Sequence, residues 1–212
     1  ENTPKPLLPV GDKPIIEHNI DRLKDYGISN ITLSINYLGE QLVSYFGDGS
    51  QKDLNIRYVE ETRPLGTMGS VTLLDEVYND YILVMNSDLL TTIDFESLFK
   101  DLIEKEGDMI IATTPYKVKV PYGVIETSGD EILQLTEKPT YTYYSNAGIY
   151  IFKKEYLERI PKNQHFNANE LMELLIAEKK RVLHFPILGY WLDIGKPNDY
   201  EKAQTDIKHL QL

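Results

Sequence analysis

Ile82-Leu83-Val84-Met85-Asn86-Ser87-Asp88-Leu89 decides how the rest of the chain is read. An apolar run ends in an Asn-Ser-Asp turn. Such a run is the pattern of a strand buried on both faces, as in a parallel sheet. Open α/β sheets bind ligands beyond the carboxyl ends of their strands, and Asp88 stands at such an end. A carboxylate there needs water, a donor or a cation. On this stretch alone two readings stay open for Asp88: a cap for the turn or the next helix, and a metal ligand.

Upstream, helix and strand patterns alternate. Asp12 reads as an N-cap, with Pro14 in the first turn, Ile16, Ile20 and Leu23 on one face, and Gly27 at the end. Ile31, Leu33 and Ile35 alternate with polar residues as in a strand, Leu38 to Phe46 is a short helix, and Ile56 to Val59 is another strand. Before these, Thr3 to Val10 holds three prolines and is expected to be extended. Lys5, between two of those prolines, is either aimed by them or simply solvated. Glu61 to Ser70 leads into an expected helix from Val71 to Val77, and Gly66, Thr67 and Gly69 sit at its entrance, where unpaired backbone N–H groups can meet a ligand.

Downstream, Asp94 is placed to cap a helix bearing Phe95, Leu98 and Leu102, and Met109 to Ala112 is a further buried strand. Tyr116 to Phe152 then reads as hairpins around a Ser-Gly-Asp turn. Glu137 and Lys138 end one of its strands. Neighbouring side chains on a strand point to opposite faces, so a shared ligand would require a bend there, which Pro139 could supply. Asn169 reads as a helix cap, Val182 to Phe185 as a strand, and a last helix starts near Pro197. Asp193, between apolar residues and ahead of Gly195, invites the same two readings as Asp88. The order of elements predicts an α/β domain with right-handed crossovers.

Composition narrows the function classes. The 212 residues suffice for one domain with a substantial core; 42% are hydrophobic and 26% charged. A net charge of −11 argues against a nucleic-acid partner, since backbone binding needs a basic face. No apolar stretch approaches the roughly 20 residues of a membrane helix. The absence of Cys excludes disulfides and thiolate metal sites and fits a cytoplasmic protein. An anionic substrate would therefore need local lysines or a divalent cation.

Seven stretches together resemble the sugar-1-phosphate nucleotidyltransferases: Pro4-Lys5-Pro6-Leu7-Leu8-Pro9-Val10, Pro64 to Gly69, Met85 to Asp88, Val120 to Gly123, Glu137-Lys138-Pro139, Asn146-Ala147-Gly148 and Trp191 to Gly195. They occur in the family's order and spacing over nearly the whole chain. The likeness is strongest to the branch that often carries CBS domains ahead of the catalytic domain, related to mannose- and heptose-1-phosphate guanylyltransferases. Two departures stand out. The family opens with a strand and a glycine-rich, Arg-bearing phosphate loop, and this chain is expected to start just after it. Ser87 also stands where the family usually has Gly.

The resemblance implies a Rossmann-like three-layer α/β/α fold, with a predominantly parallel mixed sheet and an inserted sugar-binding hairpin region. Residues 1–212 would form one catalytic domain, with a nucleotide-binding half at 1–114 and a sugar-phosphate-binding half at 115–212. The implied reaction joins a nucleoside triphosphate to a sugar-1-phosphate and releases pyrophosphate, with no protein nucleophile. Asp88 and Asp193 would hold Mg²⁺, Lys5 would neutralise the triphosphate, and Lys138 the sugar's phosphate. Glu137, Gly123 and Asn146 would contact the sugar. Trp191 would pack beside it or sit in the core. Gly66, Thr67 and Gly69 would line the nucleoside pocket. Glu61 sits where the family reads the base, and a carboxylate can accept both adjacent donors of guanine, which favours GTP. The alternatives are dTTP or UTP as donor, and a non-catalytic nucleotide-sugar sensor. A glycosyltransferase of similar fold would show Asp-x-Asp where Asn86-Ser87-Asp88 stands. A chain lacking the phosphate loop is expected to turn over slowly. Homo-oligomerisation and preceding CBS domains are left open.

Overall fold

The apolar strands feed two cores because each presents alternate side chains to opposite faces of one sheet. The computed structural model describes residues 3–210. In chain order the elements are β1 (Pro9–Val10), β2 (Lys13–Pro14), α1 (Ile15–Asp25), β3 (Asn30–Ile35), α2 (Gly39–Phe46), β4 (Asn55–Glu60), α3 (Gly66–Gly69), β5 (Tyr81–Met85) and β6 (Leu89–Thr91). There follow α4 (Phe95–Glu104), β7 (Met109–Lys119), β8 (Val124–Ser128), β9 (Glu131–Thr136), β10 (Thr140–Lys153), α5 (Ala168–Ala177), β11 (Val182–Pro186), β12 (Trp191–Asp193) and α6 (Pro197–Asp206).

The central sheet has the order β11-β7-β10-β5. It is mixed: β11 runs parallel to β7, while β10 is antiparallel to both β7 and β5. Leu83, Met85, Ile110, Ala112, Ile149 and Ile151 face α4, where they meet Phe95, Leu98 and Leu102. Ile82, Val84, Met109, Ile111, Tyr150 and Phe152 face α5 and meet Leu171 and Leu175. This is a three-layer α/β/α arrangement, and it explains why the run at 82–85 is apolar without interruption. The expectation of parallel neighbours for that strand is corrected: the partner recorded for β5 is β10, antiparallel.

A separate parallel pair, β3–β4, packs with α1 and α2 through Ile16, Ile20, Leu42, Phe46 and Ile56. A fourth cluster joins Val10, Ile15, Leu90, Ile194 and Ala203, so the N-terminal segment, β6 and α6 share one small core. Beyond the central sheet, β7 and β10 continue as a two-stranded ribbon, pairing through to Lys119 and Thr140. Between them β8 and β9 form the inserted hairpin, closed at Ser128-Gly129-Asp130 with Gly129 at φ 59°. Strand β7 crosses the expected 114/115 boundary, and the central sheet draws strands from both sides of it.

Four local expectations are corrected. Asp12 does not cap α1: Pro9–Val10 pair with Lys13–Pro14 around a turn at Gly11 (φ 68°), so Pro14 takes the cap position. The segment before it is not wholly extended, since Lys5–Leu7 make a 3₁₀ turn with Leu7 N–H on the Pro4 carbonyl at 2.9 Å. The helix expected over Val71–Val77 shrinks to α3 plus one 3₁₀ turn, Ser70–Leu73, after which Leu74 is extended. Asn167, not Asn169, caps α5, in a capping box where the Asn167 N–H donates to Glu170 at 2.7 Å.

Candidate active site

The carboxyl end of β5 turns through Asn86-Ser87-Asp88 into β6, which pairs antiparallel with β12. In that register Leu89 faces Asp193, and the Ile194 N–H donates to the Asp88 carbonyl at 3.0 Å. Two aspartates more than a hundred residues apart thus become neighbours through a three-residue strand pair. Lys5, carried on the 3₁₀ turn, forms an ion pair with Asp88. Partial burial, then the charge of Asp88, hold the Asp193 carboxyl above its usual range; Asp199 adds to this and Lys5 opposes it. The corner therefore brings two carboxylates within electrostatic reach of each other, with Lys5 paired to Asp88.

Beside it lies an open cleft of about 230 Å³, lined by Asn86, Asn146, Gly148, Tyr150, Trp191 and Asp193. Its floor is a break in the β7–β10 register between Asn146 and Tyr150. Gly148 has φ 74°, and a Cβ there would sit 2.7 Å from Asn86 Nδ2, so only glycine fits. Asn86 N–H donates to the Gly148 carbonyl at 2.9 Å, and Trp191 Nε1–H to the Ala147 carbonyl at 2.9 Å. Trp191 both packs on the core and lines the cleft. Asn146 uses its amide internally: Oδ1 accepts from Gly148 N–H at 2.9 Å and Nδ2 donates to Asn169 Oδ1 at 3.0 Å. Asn169, read as a cap, instead braces this amide.

Gly123, Glu137 and Lys138 stand together on the exposed arm. A Cβ on Gly123 would lie 3.1 Å from Glu137 Oε2, and Lys138 is 4.0 Å from Glu137. The bend expected there is made by Lys138 itself, at φ 45°, with its N–H on the Tyr122 carbonyl at 3.2 Å. Among the described residues no hydrogen bond or ion pair joins this group to Asp88 or Asp193.

At Gly66–Gly69 the expectation of unpaired backbone N–H groups fails for Gly69. Met68 and Gly69 N–H groups are not free for a ligand: both donate to the Phe166 carbonyl, at 3.0 and 2.9 Å. A Cβ at Gly66 would come within 2.6 Å of Asn167 Oδ1, and one at Gly69 within 2.6 Å of the Gln164 carbonyl. These glycines admit close backbone approach by residues 164–167, and α3 has only four residues. Glu61 holds the same loop, accepting the Leu65 N–H at 2.8 Å on one oxygen and the Ser34 hydroxyl on the other. Thr67 is half-buried beside them.

Three features carried no assignment in the sequence: Asn86 and Gly148 as cleft walls, and Asn169 as a brace. The signal for Gly148 was its place in Asn146-Ala147-Gly148.

The nucleotidyl transferase family model matches residues 1–209. Mannose-1-phosphate guanylyltransferase of Mycobacterium tuberculosis is 29% identical over 97% of this chain, which covers 59% of that protein. D-glycero-alpha-D-manno-heptose 1-phosphate guanylyltransferase of Aneurinibacillus thermoaerophilus is 29% identical over 97% of this chain and 90% of that protein. The chain thus spans under two thirds of the mycobacterial relative, as it does of the Saccharomyces cerevisiae mannose-1-phosphate guanyltransferase, where the share is 57%. The crystal structure of HddC from Yersinia pseudotuberculosis shares the fold, with a TM-score of 0.75 and 24% identity over 98% of this chain and 91% of that one.

Proposed function

The chain belongs to the nucleotidyl transferase family, and we propose that the protein transfers a guanylyl group from GTP to a sugar-1-phosphate, releasing pyrophosphate. The observation that carries this reading is the meeting of Lys5, Asp88 and Asp193 beside an open cleft. Relatives named as guanylyltransferases for mannose- and heptose-1-phosphates support the donor and the acceptor class.

The corner's donor set fits magnesium. Among the described residues no cluster of three or more metal-binding side chains occurs, and Mg²⁺ is commonly held by one or two carboxylates with the remaining positions left to water and phosphate oxygens. Burial, and after it the charge of Asp88, raise Asp193, and a divalent cation would offset both by favouring the ionised carboxylate. Asp88 and Asp193 would hold the magnesium ion, which would supply charge neutralisation to the reacting phosphates.

The remaining work falls to the chain. A sugar-1-phosphate oxygen is already anionic near neutral pH, so its attack on the α-phosphorus needs no general base. Lys5, paired with Asp88, is poised to exchange that partner for a phosphate oxygen and to stabilise charge as pyrophosphate leaves. Asn86, Gly148 and Trp191 shape the wall against which the sugar lies. Lys138 and Glu137 close from the arm, the lysine on the sugar's phosphate and the carboxylate on its hydroxyls. Glu61 has one oxygen on Leu65 N–H and the other on Ser34, yet a carboxylate offers about four acceptor sites, leaving room for the two donors of guanine.

Pyrophosphate release by the full-length protein tests the reading, with GTP, dTTP and UTP offered in turn with mannose-1-phosphate and heptose-1-phosphates. GTP is expected to be preferred. Preference for dTTP or UTP would overturn the base assignment, and no release with any pair would overturn the reaction.

A further inference from the structure

Asn19 lies outside every motif described above, yet it is 5% exposed in the middle of α1. Its Nδ2 donates to the Leu89 carbonyl at 2.9 Å and reaches the Ser87 carbonyl at 3.5 Å. Those two carbonyls flank Asp88. β6 has β12 as its recorded strand partner, so backbone groups on its other edge must be met by something else, and a buried carbonyl left unpaired is costly. Leu89, itself fully buried, is the pivot. It is covalently next to Asp88 and lies in register with Asp193. Whatever fixes the Leu89 backbone therefore fixes the approach of one carboxylate to the other.

The neighbouring residue extends the same clamp. His18 Nε2–H donates to the Val10 carbonyl at 2.8 Å, holding the segment that carries Lys5. Consecutive residues of α1 thus bind the Lys5 segment and the Asp88 turn to one rigid element.

We propose that Asn19 is a positioning residue for the acidic pair: by holding the Leu89 backbone it sets the spacing at which Asp88 and Asp193 share one divalent cation. This rests on the reading of those aspartates as a cation site. A purely structural role would make Asn19 equivalent to Arg22, one turn along α1, whose Nη2 donates to the Ile93 carbonyl at 2.5 Å.

The test titrates Mn²⁺ alone into the full-length protein, reads free Mn²⁺ by electron paramagnetic resonance, and measures Tm in parallel. Asn19→Leu keeps the branched shape, though not the volume, and removes the donor; it is expected to weaken Mn²⁺ binding roughly 10- to 100-fold, the range typical for residues that orient metal ligands. Arg22→Met is expected to lower Tm while leaving Mn²⁺ affinity unchanged. Asn19→Gln keeps an amide but displaces it, so it should fold like the parent and lose affinity by a smaller factor; it decides the matter if Asn19→Leu does not fold. Parental Mn²⁺ affinity in the folded Asn19 variants would overturn the proposal. Asp193→Asn separates the two levels. If it too binds Mn²⁺ like the parent, the cation site itself is wrong and the proposal falls with it. If it abolishes binding while the folded Asn19 variants keep parental affinity, the positioning role alone is wrong.

Discussion

The acidic corner and the hairpin arm place their charges by opposite means. Asp88 and Asp193 sit at the ends of short strands whose neighbours, Leu89, Leu90 and Ile194, are buried. Glu137 and Lys138 sit on an arm where β8, β9 and the outer part of β10 are exposed, with side chains 69% accessible. The corner's geometry comes from core packing and cannot shift without cost. The arm is a pair of two-stranded ribbons, a construction with little independent stability. Under the proposed function the difference amounts to a division of labour: chemistry that needs fixed spacing would be built on the core, and substrate capture that tolerates adjustment on the ribbon.

Substitutions can break this comparison. The largest effect is expected at the corner. Asp88→Asn or Asp193→Asn should each lower kcat for pyrophosphate release by about 10²- to 10³-fold, in line with removal of a transition-state charge contact. Thermal stability should not fall with Asp193→Asn. Its folded pKa is raised, so the ionised form at neutral pH disfavours folding, and that penalty disappears only as pH drops toward the unfolded value. A large Tm loss in Asp193→Asn would contradict the corner as a functional rather than stabilising feature.

Next comes the arm. Lys138→Ala removes one charge-assisted contact worth about 1.5–3 kcal/mol. It should raise KM for the sugar phosphate roughly 10- to 100-fold and leave KM for the nucleotide and Tm unmoved. An equal rise in both KM values would show that the arm does not serve the sugar alone.

Trp191→Phe lies between the two regions. It keeps an aromatic ring but loses part of the packed surface and the Nε1–H bond to the Ala147 carbonyl, so a loss of at least about 1 kcal/mol in denaturant unfolding is expected, with a several-fold fall in kcat/KM as the cleft wall loosens. An unchanged unfolding midpoint would mean that another donor meets that carbonyl.

The smallest effect on activity is expected at Asp108, where β7 begins. Burial would raise its carboxyl, but Lys153, the Arg181 N–H and the Tyr156 hydroxyl, at 2.7–2.8 Å, outweigh this and hold it low. A depressed carboxylate stabilises the fold above its unfolded pKa of about 3.9 and loses that contribution as pH falls through the lower folded value. Asp108→Asn should therefore lower Tm at pH 7, with the gap to the parent closing in acid, while kcat stays within about twofold. A gap that persists at low pH would assign the effect to packing instead.

Much of the fold was legible because periodicity and turn chemistry leave local marks. Asp94 caps α4, Gly129 turns the hairpin, and the apolar run at 82–85 has a core on each face. What escaped was non-local. Nothing in Gly66-Thr67-Met68-Gly69 reveals that residues 164–167 press against it, or that Phe166 takes its N–H groups. The hairpin at Gly11 displaced the expected cap because β1 and β2 could pair. At the site, single residues could be nominated from motifs, but the adjacency of Asp88 and Asp193 depends on the β6–β12 register, and Asn19 on α1 carries no motif at all.

The central claim is that Asp88 and Asp193 act as one unit on one cation, and a double-mutant cycle on kcat for pyrophosphate release from GTP and a sugar-1-phosphate tests it directly. If the pair is a unit, the Asp88→Asn/Asp193→Asn protein should be hardly slower than either single variant. Losses that simply multiply would mean that the two carboxylates act independently, and the account would fail.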